Sequence, residues 1–209
     1  MENLKIKFNG YNDIENSFSQ ASQDLFVLTC LNGKTNGTFL DLGCNHPTNI
    51  NNTFLLESKF NWNGVSIDIE SDYINEYHIR KTVALSLDAT KIDFEVIMKN
   101  YNSNHIDYLS LDLEPAKVTL DALKNIPFDK IEFSVITYEH DSYRFGNGFR
   151  DESRQFLESL GYKRICSDVA NDNYIYEDWY YNPKYVNYED IKILESDSLN
   201  WGEIMFNNN

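Results

Sequence analysis

Thr38-Phe39-Leu40-Asp41-Leu42-Gly43-Cys44-Asn45-His46 is the stretch that decides the fold. An apolar strand ends here in an Asp, a Gly and an Asn, residue types suited to the tight turn that precedes a helix. A loop of this kind at the end of a first parallel strand lets backbone amides approach a small anionic ligand, the general logic of nucleotide-type cofactor sites. A dinucleotide fingerprint needs GxGxxG, whereas Cys44, Asn45, His46 and Pro47 follow Gly43 here. A diphosphate fits such a loop poorly. A nucleoside with an amino-acid tail, such as S-adenosylmethionine, does not require the second and third glycines. The bland alternative is a tight turn before any helix.

Outward from this stretch, strand-like and helix-like segments alternate, the pattern of a mostly parallel sheet covered by helices on both faces. Seven strands are expected: Thr38 to Leu42, Gly64 to Ile69, Lys81 to Leu87, Ile106 to Leu111, Ile131 to Tyr138, Tyr162 to Ala170 and Asn173 to Tyr180. Apolar residues at helical spacing predict helices over Asn52 to Phe60, Phe94 to Tyr101, Lys117 to Ile126 and Phe149 to Leu160. Only Asn171-Asp172-Asn173 separates the last two strands, so they pair as an antiparallel hairpin. A parallel sheet closed by a late hairpin is a methyltransferase-like order. Residues 1–36 read as a helical lead-in, 37–182 as the core and 183–209 as a polar, aromatic surface tail, all within one domain.

The formal charge of -15 disfavours a sequence-independent grip on phosphate backbones, so nucleic acid is not an expected partner. Cys30, Cys44 and Cys166 are odd in number and lack any CxxC, which argues against disulfides and structural zinc and fits a reducing cytosol. No run approaches a membrane span, and no export signal opens the chain. A cytoplasmic location follows, that of the host if the abundance of Asn reflects an AT-rich viral genome.

In an open α/β sheet, ligands gather outside the carboxyl ends of the strands. The residues there are acidic: Asp41, then Asp68, Asp88, Asp112 with Glu114, and Glu139-His140-Asp141. Each alone is more often a solvated strand end or helix cap than a ligand; their recurrence at one edge suggests a site. Asp68, beside Ile69, suits both hydroxyls of a ribose, and Asp88, beside Ala89, suits the exocyclic amine of adenine. Asn52 and Thr53 open a helix and offer an amide and a hydroxyl to a cofactor carboxylate, or merely cap that helix. With Asp41, Gly43 and Asn45 these residues form the expected cofactor set. His140 is the candidate general base, because its ordinary pKa lies near neutrality. The carboxylates of the cluster Asp112, Glu114, Glu139, His140, Asp141 also suit a hard divalent cation, Mg or Mn, held through oxygen. The remaining reading is a capped strand end. The aromatic run Tyr174, Tyr176, Trp179, Tyr180, Tyr181, Tyr185, Tyr188 suits packing for most members and contact with a sugar for one or two.

Several motifs in order resemble the FkbM-type family of S-adenosylmethionine-dependent methyltransferases, from about Ser19 to Trp179. They are Ser19-Gln20 with Gln23-Asp24-Leu25-Phe26, the Phe39 to Asn45 loop, Asn52 to Glu57, Trp62 to Asp68, Ile106-Asp107-Tyr108-Leu109-Ser110-Leu111-Asp112-Leu113-Glu114, and Gly161-Tyr162. Pro115, Lys117 and Pro47 depart from that pattern. The resemblance implies a Rossmann-like class I fold that binds S-adenosylmethionine and methylates oxygen on sugars, polyketides or other hydroxylated small molecules. Asp112, Glu139 and His140 also look like the metal positions of catechol-type O-methyltransferases, with His140 in place of an amide. The expected enzyme is an O-methyltransferase of a carbohydrate hydroxyl, such as a deoxyhexose like rhamnose in a glycan. In it His140 takes the proton, Glu114 or Glu139 orients His140, and Asp112 lines the transfer pocket or binds metal. Rival readings are a methyltransferase of another small molecule, a nicotinamide-dependent sugar reductase and a catalytically silent binding module. A homodimer through the aromatic hairpin is a further expectation.

Overall fold

A computed structural model describes residues 1–207. In chain order its elements are α1 (Gln23–Cys30), β1 (Thr38–Leu42), α2 (Phe54–Phe60), β2 (Asn63–Asp68), α3 (Ser71–Glu76), β3 (Val83–Ser86), α4 (Phe94–Ile97), β4 (His105–Leu111), α5 (Ala116–Asn125), β5 (Glu132–Glu139), α6 (Ser142–Phe145), α7 (Asn147–Ser159), β6 (Lys163–Asn171), β7 (Tyr174–Tyr181), α8 (Tyr188–Ile191), β8 (Ser196–Asp197) and α9 (Trp201–Met205). The sheet order is β3-β2-β1-β4-β5-β7-β6-β8. Strands β1 to β5 pair in parallel, and β7 lies antiparallel between β5 and β6. All seven expected strands form, and two residues of the C-terminal segment add β8 beside β6.

The chain reverses direction between β1 and β4, so the strand order switches there and a crevice opens at the carboxyl ends of β1, β2 and β4. Each face of the sheet buries its own apolar cluster. On one face Leu25, Phe26 and Leu28 of α1 pack with Leu55, Leu56, Trp179, Ile204 and Met205. There Phe26 stacks on Trp179 at a centroid distance of 4.6 Å. On the other face Phe94 and Ile97 of α4, Leu120 and Leu123 of α5, and Leu157 of α7 cover Leu40, Leu109 and Ile136. Each such side chain contributes about 1.5–3 kcal/mol by leaving water.

The hairpin turn is Asp172-Asn173, and Asp172 takes the left-handed backbone (φ 54°) that Asp tolerates. The 183–209 tail departs from its expected surface position over residues 183–207; its last two residues lie outside the described ones. Val186, Ile191, Leu194, Ile204 and Met205 are buried, and Phe206 bridges back to Leu4. Its polar residues had masked an apolar minority that reaches the interior. Among the described residues no helix is long and apolar enough to cross a membrane.

Candidate active site

A cleft of about 750 Å³ opens along the carboxyl edge of the sheet. Four parallel strands feed it in spatial order: Leu87, Asp88 and Ala89 beyond β3, Asp68 and Ile69 at β2, Gly43 and Asn45 beyond β1, and Asp112, Leu113 and Glu114 beyond β4. Glu139 and Asp141 continue the wall past β5, and Tyr143, Tyr174 and Tyr176 complete one end. Eight of the lining residues are Asp or Glu and none is Lys, Arg or His.

Gly43 has φ +87°, and a Cβ there would lie 1.8 Å from the carbonyl oxygen of Asp112. The glycine lets the β1 loop press against the chain leaving β4, where Asp112 N–H donates to the carbonyl of Leu42 at 3.0 Å. Asp68 accepts the N–H of Asn45 at 2.9 Å on one oxygen and that of Glu70 at 2.9 Å on the other. These bonds fix its carboxylate at the floor of the cleft. Asp88 caps the next turn by accepting from Thr90 N–H, and its other oxygen pairs with Lys91 at 2.7 Å. Its carboxyl is accordingly lowered to about 2, by Lys91 and then Thr90. Exposed Ile69 and Leu87 flank these two acids and offer a flat ring apolar contact.

Asp112, Glu139 and Asp141 form a compact acidic group. Asp112 and Glu139 share a hydrogen bond, and burial, then neighbouring carboxylates, raise both; Glu139 is pushed well above the usual range. Asp141 is raised by burial and then by Glu114, and also bonds Glu139. The N–H groups of His140 and Asp141 both donate to the Tyr176 carbonyl, at 2.7 and 3.0 Å, which holds this corner against β7.

Four expected site residues stand elsewhere. His140 is fully buried and does not line the cleft, so its expected role as general base is corrected. Successive residues of an extended chain point to opposite faces; with Glu139 facing the cleft, His140 turns beneath the sheet. Its Nδ1 accepts the N–H of Ser142 at 3.1 Å, and Nε2 lies 3.7 Å from an oxygen of each of Asp168 and Asp178. The metal set Asp112, Glu139, His140 is therefore not assembled, nor does Glu114, which pairs with Arg144 at 3.1 Å, orient the histidine. The ligand atoms of His140, Asp168 and Asp178 lie within 4.8 Å of one another, a spacing that would admit a cation. A cation of the chain's own fills that role. Arg154 contacts Asp178 at 2.7 Å and Asp168 at 2.8 Å. Burial alone would raise Asp178, but Arg154 and then His140 hold it well below the carboxylate range.

Asp41, Asn52 and Thr53, expected to touch the cofactor, are likewise interior. Thr53 Oγ1 donates to Asp41 at 3.1 Å, Arg80 donates to Thr53 at 3.2 Å and pairs with Glu57 at 3.0 Å, and Asn52 donates to Ser110 at 3.1 Å. The network ties the loop after β1 to the sheet, and burial raises Asp41 to about 6. Of the aromatic run, Trp179, Tyr180 and Tyr181 are core residues. Tyr174 and Tyr176 line the cleft. Tyr143 was missed: it lies on α6, a four-residue helix too short to show periodicity.

No family model matches the chain, and no curated protein sequence matches it. Solved structures do. A protein of Clostridium thermocellum described as an rRNA methylase superposes with a TM-score of 0.53 at 17% identity, over 80% of this chain and 96% of its own. Magnesium protoporphyrin IX methyltransferase of Synechocystis PCC 6803, solved with bound S-adenosylmethionine, gives 0.52 at 11% identity, over 77% and 76%. The human methyltransferase 10 domain-containing protein gives 0.53 at 9% identity, over 81% and 84%. These matches span methyltransferases of different description, and the expected membership of the FkbM-type family is corrected accordingly. Its motifs lie at positions that the fold itself constrains, such as Gly43 against Asp112, and so do not single out one family. What the likeness carries is the fold: a Rossmann-like class I architecture, that of S-adenosylmethionine-dependent methyltransferases.

Proposed function

We propose that the protein is an S-adenosylmethionine-dependent methyltransferase acting on a hydroxyl of a carbohydrate or similar polyol. The observation that supports it is the single cleft into which β1 to β4 deliver Gly43, Asp68, Asp88 and Asp112 in spatial order. The residues fit the cofactor. Asp68 is fixed by two backbone amides with lone pairs left for ribose hydroxyls, and Ile69, Leu87 and Ala89 make an apolar slot beside Asp88 for adenine. When bound, S-adenosylmethionine supplies a methyl group activated on a sulfonium.

The proton of the acceptor hydroxyl goes to a carboxylate. Asp112 and Glu139 share a hydrogen bond on the cleft wall, and burial and then neighbouring carboxylates raise both, so the ionised member of the pair is the base that takes it. With S-adenosylmethionine held by Asp68 and the slot beside Asp88, its sulfonium would supply the methyl group, and the acceptor's hydroxyl proton would pass to the ionised member of the Asp112–Glu139 pair. Positioning supplies most of the rate, because the transfer is one displacement.

Calorimetric titration with S-adenosylmethionine and, separately, NADH tests the reading. Binding of the former alone is expected; binding of neither makes the protein a silent fold, and binding of NADH alone makes it a reductase. Asp68→Ala removes two charged hydrogen bonds to the ribose. At about 1.5–3 kcal/mol for a bond to a charged group, S-adenosylmethionine affinity falls by at least roughly tenfold. Unchanged affinity removes Asp68 from the cofactor site.

A further inference from the structure

We infer that the acceptor carries a positive charge beside the hydroxyl it presents: an aminated sugar or a comparable amino-polyol. The inference rests on the methyltransferase reading and names the acceptor class. Asp112, Glu114, Glu139 and Asp141 all line the cleft; Glu114 pairs with Arg144 at 3.1 Å, outside the lining, and the lining itself contains no cationic side chain to answer Asp112, Glu139 and Asp141. Charges in a half-enclosed, low-dielectric wall act more strongly than in open water, so phosphorylated or carboxylated acceptors are repelled and cations are drawn in.

Acidic surface is expected on a chain of charge -15, so the wall alone identifies nothing. Tyr176 adds an independent observation. It lines the cleft, is 3% exposed, and its Oη has no hydrogen-bond partner. Buried polar atoms are normally paired, and an unpaired, buried phenol oxygen on a residue of the cleft lining points to a partner brought by a ligand. After burial itself, Glu177, Glu139 and Asp112 are what raise the Tyr176 phenol, which places it among the acids and keeps it protonated, able to donate to a hydroxyl. Tyr143 and Tyr174 contribute a third. Their rings meet edge to face at 5.0 Å and remain 50% and 58% exposed at the same end. Aromatic faces set beside carboxylates attract an ammonium and also accept the C–H face of a sugar. A neutral sugar would satisfy Tyr176 and leave Asp112, Glu139 and Asp141 without a cation. A simple amine would answer the acids without offering the hydroxyl that the reaction needs. An amino sugar does both.

Protein saturated with S-adenosylmethionine, its binding verified first, is titrated with glucosamine, N-acetylglucosamine and glucose 6-phosphate. Glucosamine is expected to bind about tenfold tighter than its neutral N-acetyl analogue, and the phosphate not at all. Tyr176→Phe and Tyr143→Ala, the first nearly isosteric and the second at an exposed position, should each narrow the ratio severalfold. Normal S-adenosylmethionine binding with no preference for glucosamine, or with no sugar bound, overturns the inference and leaves the methyltransferase reading standing. A preference that both variants leave intact overturns the site assigned to it. Failure to bind S-adenosylmethionine overturns both.

Discussion

Gly43 shows how one atom can decide a site. With φ at +87° and the Asp112 carbonyl 1.8 Å from the place a Cβ would take, Gly43→Ala must shift the backbone of one loop or the other. Strain of this type costs on the order of 1–3 kcal/mol; the urea midpoint of the variant should drop even without ligand, and an unchanged midpoint would show that the loops part freely. At this scale the sequence was legible where a residue's role is set by its own backbone. Gly43, Asp68, Asp88 and Asp112 were expected at the carboxyl edge, and all four line the cleft. It was illegible where the role is set by a distant partner. Nothing near Asp41 announces that Thr53 and, behind it, Arg80 will enclose it.

Elements explain the error at His140. Strand β5 runs to Glu139, and carrying its alternation one residue further sends His140 to the face covered by α7, where Arg154 already holds Asp168 and Asp178. The alternation was readable; what hid the outcome was that Arg154 lies on a separate helix, fourteen residues on. Replacing Arg154 with Met leaves Asp168 to Arg150 at 3.1 Å and takes from buried Asp178 its one close cation, and should destabilise the protein by about 3 kcal/mol in chemical denaturation. Adding Asp178→Asn to that variant should recover part of the loss, and no recovery would mean that Arg154 acts through packing alone. The C-terminal segment teaches the same lesson. Its helices run to four and five residues, too short for a periodic signal, yet Ile191 and Ile204 reach the core.

For the molecule as a whole, charge sets how stability varies with pH. Glu177 is buried between Gln23, which donates at 3.0 Å, and Trp179, which donates at 2.7 Å, and burial raises its carboxyl to about 8. A carboxyl raised on folding binds its proton more tightly in the folded state. Its contribution is thus fully present below the unfolded value of about 4.3 and lost as pH rises to about 8. Unfolding free energy should decline across that window, by at most roughly 1.4 kcal/mol per pH unit from this group. Glu177→Gln keeps an oxygen for both donors and should flatten the decline; an equal slope in the variant would place the titration elsewhere. Asp178 works in the opposite sense, since its lowered carboxyl withdraws stability only in acid.

The lining of carboxylates without a cation has a consequence for turnover. Under the proposed function, methyl transfer converts a sulfonium into a neutral thioether, and the spent cofactor would face a negative wall that no longer attracts its sulfur. S-adenosylhomocysteine should therefore bind more weakly than S-adenosylmethionine by about tenfold or less, on the order of one exposed charge–charge contact. Calorimetry on both compounds reads this directly, and tighter binding of the thioether would refute it. On that reading the reaction itself discharges the interaction that holds the cofactor, which favours release of the product over inhibition by it.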